Sequence, residues 1–96
     1  MARTLLAARA TVRPDTEAAY LALLRERRRA AERQGAHLWV FRSSADASTF
    51  LEFRECADAG ARSSDEVAID GRLRMLAAYG PGAEERWTEV VLPPDD

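Results

Sequence analysis

The 96-residue chain contains no lysine and no asparagine, one cysteine and one histidine. A lone cysteine, Cys56, excludes an internal disulfide, which agrees with a reducing compartment. Its acidic neighbours Glu55 and Asp58 argue against a reactive thiolate. No catalytic or metal-binding motif is present, so no metal and no cofactor are expected. Long apolar runs are also missing. None approaches the ~20 residues that a membrane helix needs, and Arg9 interrupts the stretch near the amino end that a signal peptide would keep apolar. These absences predict a cytoplasmic protein with no membrane partner. The net charge of −2 gives no pull toward nucleic acid. The arginine run Arg25, Arg27, Arg28, Arg29 and Arg33 is interleaved with Glu26 and Glu32, and Arg28 can pair with Glu32 one helical turn on. A solvated helix face accounts for it, and no nucleic-acid partner is expected, since aromatic interleaving and a readout motif are both lacking.

What the sequence does contain is a hydrophobic content of 47%, enough for one domain burying roughly 60 to 65% of its unfolded surface. That domain is expected over residues 1–92, with 93–96 a disordered tail. The chain is organised around His37 to Cys56, HLWVFRSSADASTFLEFREC, two aromatic and β-branched runs folded back across a polar turn at residues 43–47. Side chains alternate between the faces of a strand. With Ser43 opposite Ser48, Val40 faces Leu51 and Leu38 faces Phe53, giving one wholly apolar face. Trp39, Phe41, Phe50, Glu52 and Arg54 then share the other face. A slip of one residue instead groups Trp39, Phe41, Leu51 and Phe53, and leaves Leu38, Val40 and Phe50 with the charges. The first pairing is preferred because it keeps one face free of charge.

Residues 3–13 alternate loosely and read as a first strand. Pro14 and Asp15 break the run, and Asp15 can cap the helix expected over 16–34. Gly35 closes that helix. Its apolar stripe runs through Tyr20, Leu23 or Leu24, the stem of Arg27, and Ala31. After a loop at 57–62, Ser63 and Glu66 form a capping-box signature for a second helix over about 64–79. Ile69, Leu73 and Leu76 make its core stripe, and Gly80 with Pro81 ends it. Gly71 lies inside at a cost of about 1 kcal/mol, which suggests a close backbone approach there. Residues 86–92 read as the last strand.

The order β, α, β, β, α, β is the α+β ferredoxin-like arrangement, with a four-stranded antiparallel sheet. Two helices cover only one face of such a sheet, so an apolar patch is left on the other. A homodimer joined sheet to sheet answers this, with Trp39, Phe41, Phe50, Glu52 and Arg54 as interface residues. At this point the sequence resembles the dimeric α/β-barrel superfamily and its antibiotic-biosynthesis-monooxygenase-like branch. The resemblance rests on the helix ending in Gly35, the strand WVFRSSAD, the strand TFLEFREC, a second helix and a last strand with Trp87. It implies two sheets forming a barrel across a dimer, and a small apolar or aromatic ligand between each sheet and its helices. It also implies chemistry without a cofactor on a small aromatic or polyketide-like compound. The chain departs from that pattern in having no asparagine, and no histidine or tryptophan in its second helix. Both departures argue against haem degradation.

His37, the only imidazole, is the candidate catalytic acid or base. The plainer reading is a polar strand-end residue paired with Arg54 or water. Tyr20, Phe53, Met75 and Tyr79 are the candidate ligand contacts. The two tyrosines equally suit a core with wet hydroxyl tips. An open pocket of several hundred Å³ holding His37 or a tyrosine would favour an enzyme, and a filled interior would favour a non-catalytic binding or interaction protein.

Overall fold

The computed structural model describes residues 3–56 and 63–95, so the expected loop at 57–62 lies outside the described residues, as does the side chain of Cys56. The elements are β1 (Thr4–Val12), α1 (Glu17–Glu32), β2 (Leu38–Arg42), β3 (Thr49–Cys56), α2 (Ser64–Leu76) and β4 (Ala77–Thr88). The strands form one antiparallel sheet in the order β2-β3-β1-β4. This is the ferredoxin-like arrangement that the pattern predicts. Ala10, Val12 and Phe50 of the sheet pack with Tyr20, Leu23 and Leu24 of α1 and Leu73 of α2. Both helices therefore lie on one face, and the core sits between them and the sheet.

Helix α1 follows Pro14, but Asp15 does not cap it. Asp15 pairs with Arg13 at 3.1 Å, and Thr16 is the N-cap without a side-chain cap bond. The Thr16 hydroxyl instead donates to the Leu76 carbonyl at 3.0 Å, tying the start of α1 to the end of α2. Gly35 closes α1 with φ of 74°, a conformation that favours glycine. The capping box of α2 forms in both directions, between Ser63 Oγ and the Glu66 amide and between the Ser63 amide and Glu66 Oε2.

Three further expectations give way. The preferred hairpin register is off by one: Trp39 faces Phe53 and Phe41 faces Leu51. The turn sets this. Asp46 accepts hydrogen bonds from the Ser48 amide, the Ser48 hydroxyl and the Thr49 hydroxyl, which hold its carboxyl below the usual range. Ser43 consequently pairs with Thr49, its amide donating to the Thr49 carbonyl at 2.9 Å, and the loop gains a residue. Phe50, Glu52 and Arg54 thus turn inward beside Ala10, Ala8 and Leu6.

Second, α2 stops at Leu76, and Gly80 and Pro81 lie inside β4, where the β1–β4 register shifts between Ala8 and Ala10. A bulge on an outer strand tolerates a proline, which has no amide hydrogen to offer the ladder. Tyr79 is therefore a strand residue, and the last strand ends at Thr88 instead of reaching residue 92. Third, Gly71 is exposed and an added Cβ would meet nothing within 4 Å, so no backbone approaches it.

Candidate functional site

The interior between sheet and helices holds a polar cluster built on Glu52. Tyr20 from α1 and Tyr79 from β4 each donate to Glu52 Oε2 at 2.6 Å, and Arg27 donates to Glu52 Oε1 at 2.9 Å. Arg27 also lies 4.0 Å from Asp70 of α2, whose carboxylate accepts from Arg74 at 3.1 Å. Beside this cluster Arg54 grips Glu66 with two bonds of 2.6 and 2.7 Å. Exposure is 4% for Arg27, 2% for Glu52, 3% for Arg54 and zero for Glu66. Charges this deep are tolerated only because each meets an opposite one in good geometry.

Burial, and then the charge and hydrogen bond of Glu52, push both phenols well above the ordinary tyrosine value. Both therefore remain donors. For Glu66, burial alone would raise the carboxyl, but the hydrogen bonds and charge of Arg54 outweigh it and hold the group below its usual range. The hollow beside these side chains, bounded chiefly by Leu6, Arg27, Leu38, Glu52 and Arg54, is small, about 10 Å³. That is about the least a single water occupies. Arg27 Nε has no partner among the described residues.

The open face of the sheet is different. A trough of about 460 Å³ runs over it, with Leu5 and Phe53 as floor, Trp39 and Phe41 on one side, Trp87 on the other, and Arg3 paired with Glu89 at one end. Its shape follows from the strand order. The inner strands β1 and β3 contribute Leu5 and Phe53, and the outer strands β2 and β4 carry the indoles of Trp39 and Trp87. Trp39 is 37% exposed, and Phe41 and Trp87 are each 55% exposed. No described element covers them. His37 lies at the margin, its ring stacked on Trp39 with centroids 5.7 Å apart and its Nδ1 2.7 Å from Glu55 Oε1. A carboxylate only accepts, so in this pair Nδ1 is the donor to Glu55.

The candidate residues are thus divided between two faces. Tyr20 and Tyr79 meet, as ligands of Glu52 and not as walls of a pocket. Phe53 lies on the open face, away from them, and Met75 is 85% exposed on α2, outside any interior cavity. Phe50, Glu52 and Arg54, expected on the outer face, are buried under the helices. Trp39 and Phe41 are on the open face. His37 pairs with Glu55, not Arg54. Sequence reasoning passed over Glu66 as a partner for Arg54, because its capping role already accounted for it. Nothing in the last-strand pattern places Trp87 in the trough; its pairing with Leu5 gives it that face. Among the described residues no group of three or more His, Cys, Asp or Glu is placed to hold a metal ion. No described helix is long and apolar enough to cross a membrane.

No protein-family profile matches the chain, and no curated protein matches it in sequence. Solved structures do match in fold. A conserved protein of unknown function from Bacteroides thetaiotaomicron, described as a possible oxidoreductase, superposes with a TM-score of 0.74 at 14% identity, covering 92% of this chain and 98% of that one. A conserved protein from Methanosarcina mazei gives 0.74 at 16%, covering 93% and 92%. An antibiotic biosynthesis monooxygenase gives 0.68 at 13%, covering 97% and 100%. At these identities the likeness is one of fold: the chain has the ferredoxin-like fold found in antibiotic-biosynthesis-monooxygenase-like structures.

Proposed function

We propose that this chain acts as a homodimer, joined sheet to sheet, that binds a small flat apolar or aromatic compound in the trough between Trp39 and Trp87. The carrying observation is the uncovered apolar trough of about 460 Å³ on a sheet whose other face is packed. A two-fold axis along the strands, with the open faces stacked, sets β2 of one copy across from β4 of the other. Trp39 of one copy then meets Trp87 of the other, and the two troughs face each other to enclose a chamber. Aromatic walls favour a flat ligand. The filled interior around Glu52 favours binding here over chemistry between sheet and helices.

A second reading, acid–base catalysis in the same trough, is favoured by one observation. His37 is oriented by Glu55 at 2.7 Å and stacks on a trough wall, as a general base requires. It would suit cofactor-free oxygenation or cyclisation of a hydroxylated aromatic or polyketide-like compound. Titrating the protein with a hydroxyanthraquinone while following tryptophan fluorescence tests both readings. Saturable quenching that Trp39→Ala and Trp87→Ala each weaken at least about tenfold supports the trough. Quenching unaffected by either substitution refutes it. Turnover of the bound compound, lost in His37→Gln while binding is kept, separates the catalytic reading from the binding one.

A further inference from the structure

The outer strand β2 is paired on one side only, with β3. In an antiparallel ladder, residues that bond the neighbour alternate with residues whose backbone groups point away from it. The Glu55 amide donates to the His37 carbonyl at 2.9 Å, and the Ser43 amide to the Thr49 carbonyl at 2.9 Å. The odd-numbered residues of β2 therefore bond β3, and Leu38, Val40 and Arg42 turn their amides and carbonyls to the free edge. No described residue bonds those groups. A row of donors and acceptors at strand spacing is a template for another strand. β2 has no proline and pairs with β3 without a register shift, so nothing in the strand itself blunts the edge.

Alongside that edge a groove of about 350 Å³ separates β2 from α1, floored by Leu21, Leu24, Leu38 and Val40 and rimmed by Arg25 and Arg28. Neither arginine has an ion-pair partner among the described residues, and the expected pairing of Arg28 with Glu32 is not formed there. Leu21 is 39% exposed. The apolar and cationic linings are segregated along the groove. Arg42 bonds Glu17 at 3.1 Å, so the start of α1 lies beside the end of β2, and the short link through Gly35 returns the end of α1 to the beginning of β2. Leu21 thus lies toward Val40, with Arg25 and Arg28 further along, toward Leu38.

We propose that the free edge of β2 takes an extended acidic segment of another protein as a further outer strand. The segment is aliphatic where it passes Leu21 and Val40, and carries Asp or Glu where it passes Arg25 and Arg28. Alternation sends every second side chain of the added strand into the groove, and the others to the side of Trp39 and Phe41. Main-chain hydrogen bonds supply affinity in such strand addition, and the side-chain pockets supply register and selectivity. Other occupants fit the same observations less well. A hydrocarbon chain with an acidic head would meet the leucines and arginines, but would leave the edge amides and carbonyls of Leu38 and Val40 covered and unbonded, a cost that a peptide avoids. A second copy paired edge to edge through β2 would set Arg25 and Arg28 against the same arginines. This chain's own last residues leave the sheet from β4, at its opposite margin. Binding at the edge needs neither the aromatic compound nor the second copy proposed above.

The test uses the full chain, isotope-labelled for nuclear magnetic resonance, and an acetylated, amidated peptide of the length of β2 in which threonine alternates first with valine and then with glutamate. Amide hydrogen exchange is read residue by residue. At saturating peptide, exchange at Leu38, Val40 and Arg42 is expected to slow at least about tenfold. The same peptide with lysine in place of glutamate is expected to bind at least about tenfold more weakly, as is the glutamate peptide to a chain carrying Arg25→Gln and Arg28→Gln. Both arginines are exposed, so their replacement leaves the core intact. No binding, binding that leaves the edge amides as fast as before, or equal binding of the lysine peptide overturns the proposal. Decanoate held in the groove where the peptide is not overturns it in favour of an amphipathic acid. Edge amides already slow without peptide overturn it in favour of a second copy.

Discussion

Glu52 is the side chain through which three elements of the core are joined. It takes two phenol hydrogens on one oxygen and a guanidinium hydrogen on the other, from α1 and β4 onto β3. The chain has only two tyrosines, so this arrangement can be read directly by titration. A group whose folded pKa is raised contributes stability that is complete below its unfolded value and is lost as pH rises through the folded one. Both phenols are raised from 10.0. Phenolate absorbance should therefore be absent from the folded protein at pH 10 to 11, and should appear for both tyrosines together with alkaline unfolding. A tyrosine ionising near its ordinary value in the folded state would contradict this cluster.

Arg54 and Glu66 give the matching case in acid. Glu66 is held below 4.5, so its contribution is complete above that value and is lost as pH falls through the folded one. Arg54→Met leaves the buried Glu66 carboxylate without its ion-pair partner and should cost about 3–5 kcal/mol in denaturant unfolding near neutral pH, and less below pH 4. Adding Glu66→Leu should recover part of the loss, while still forfeiting the cap of α2. A single-mutant cost under about 1 kcal/mol would show the pair to be solvated.

At the level of elements, sequence pattern carried the order of strands and helices, the closure of α1 at Gly35 and the capping box at Ser63. It failed at two places for physical reasons. Gly80 and Pro81 stop a helix in isolation, and equally make a bulge on an outer strand. Only the pairing of β4 with β1 decides between these uses. The hairpin register was judged by keeping charge off one face, a rule that fails when the interior supplies partners. Tyr20, Arg27, Tyr79 and Glu66 come from three other elements, and no spacing within the hairpin announces them. The same blindness hid the trough. Tyrosines that looked like pocket walls are bound to Glu52, and the larger hollow lies on the opposite face. Gly71 gives an element-scale check. With no neighbour to accommodate, Gly71→Ala should stabilise α2 by up to about 1 kcal/mol in thermal or denaturant unfolding. A loss of stability would reveal a contact with that position.

At the scale of the whole molecule, one asymmetry governs the account. Helices pack on one face of a four-stranded sheet, and two tryptophans and two phenylalanines line a hollow on the other. Water is a poor neighbour for an aromatic surface of that extent. In the proposed homodimer a second copy, set with its strands along the first, would cover it and enclose the trough. The most direct test is the mass in solution of the unmodified chain and of Trp39→Arg, by light scattering across a range of concentrations. The account predicts twice the 10.6 kDa of one chain for the first, and the mass of a single folded chain for the second. A unit mass for both, or a dimer indifferent to arginine in the middle of the aromatic wall, would contradict it.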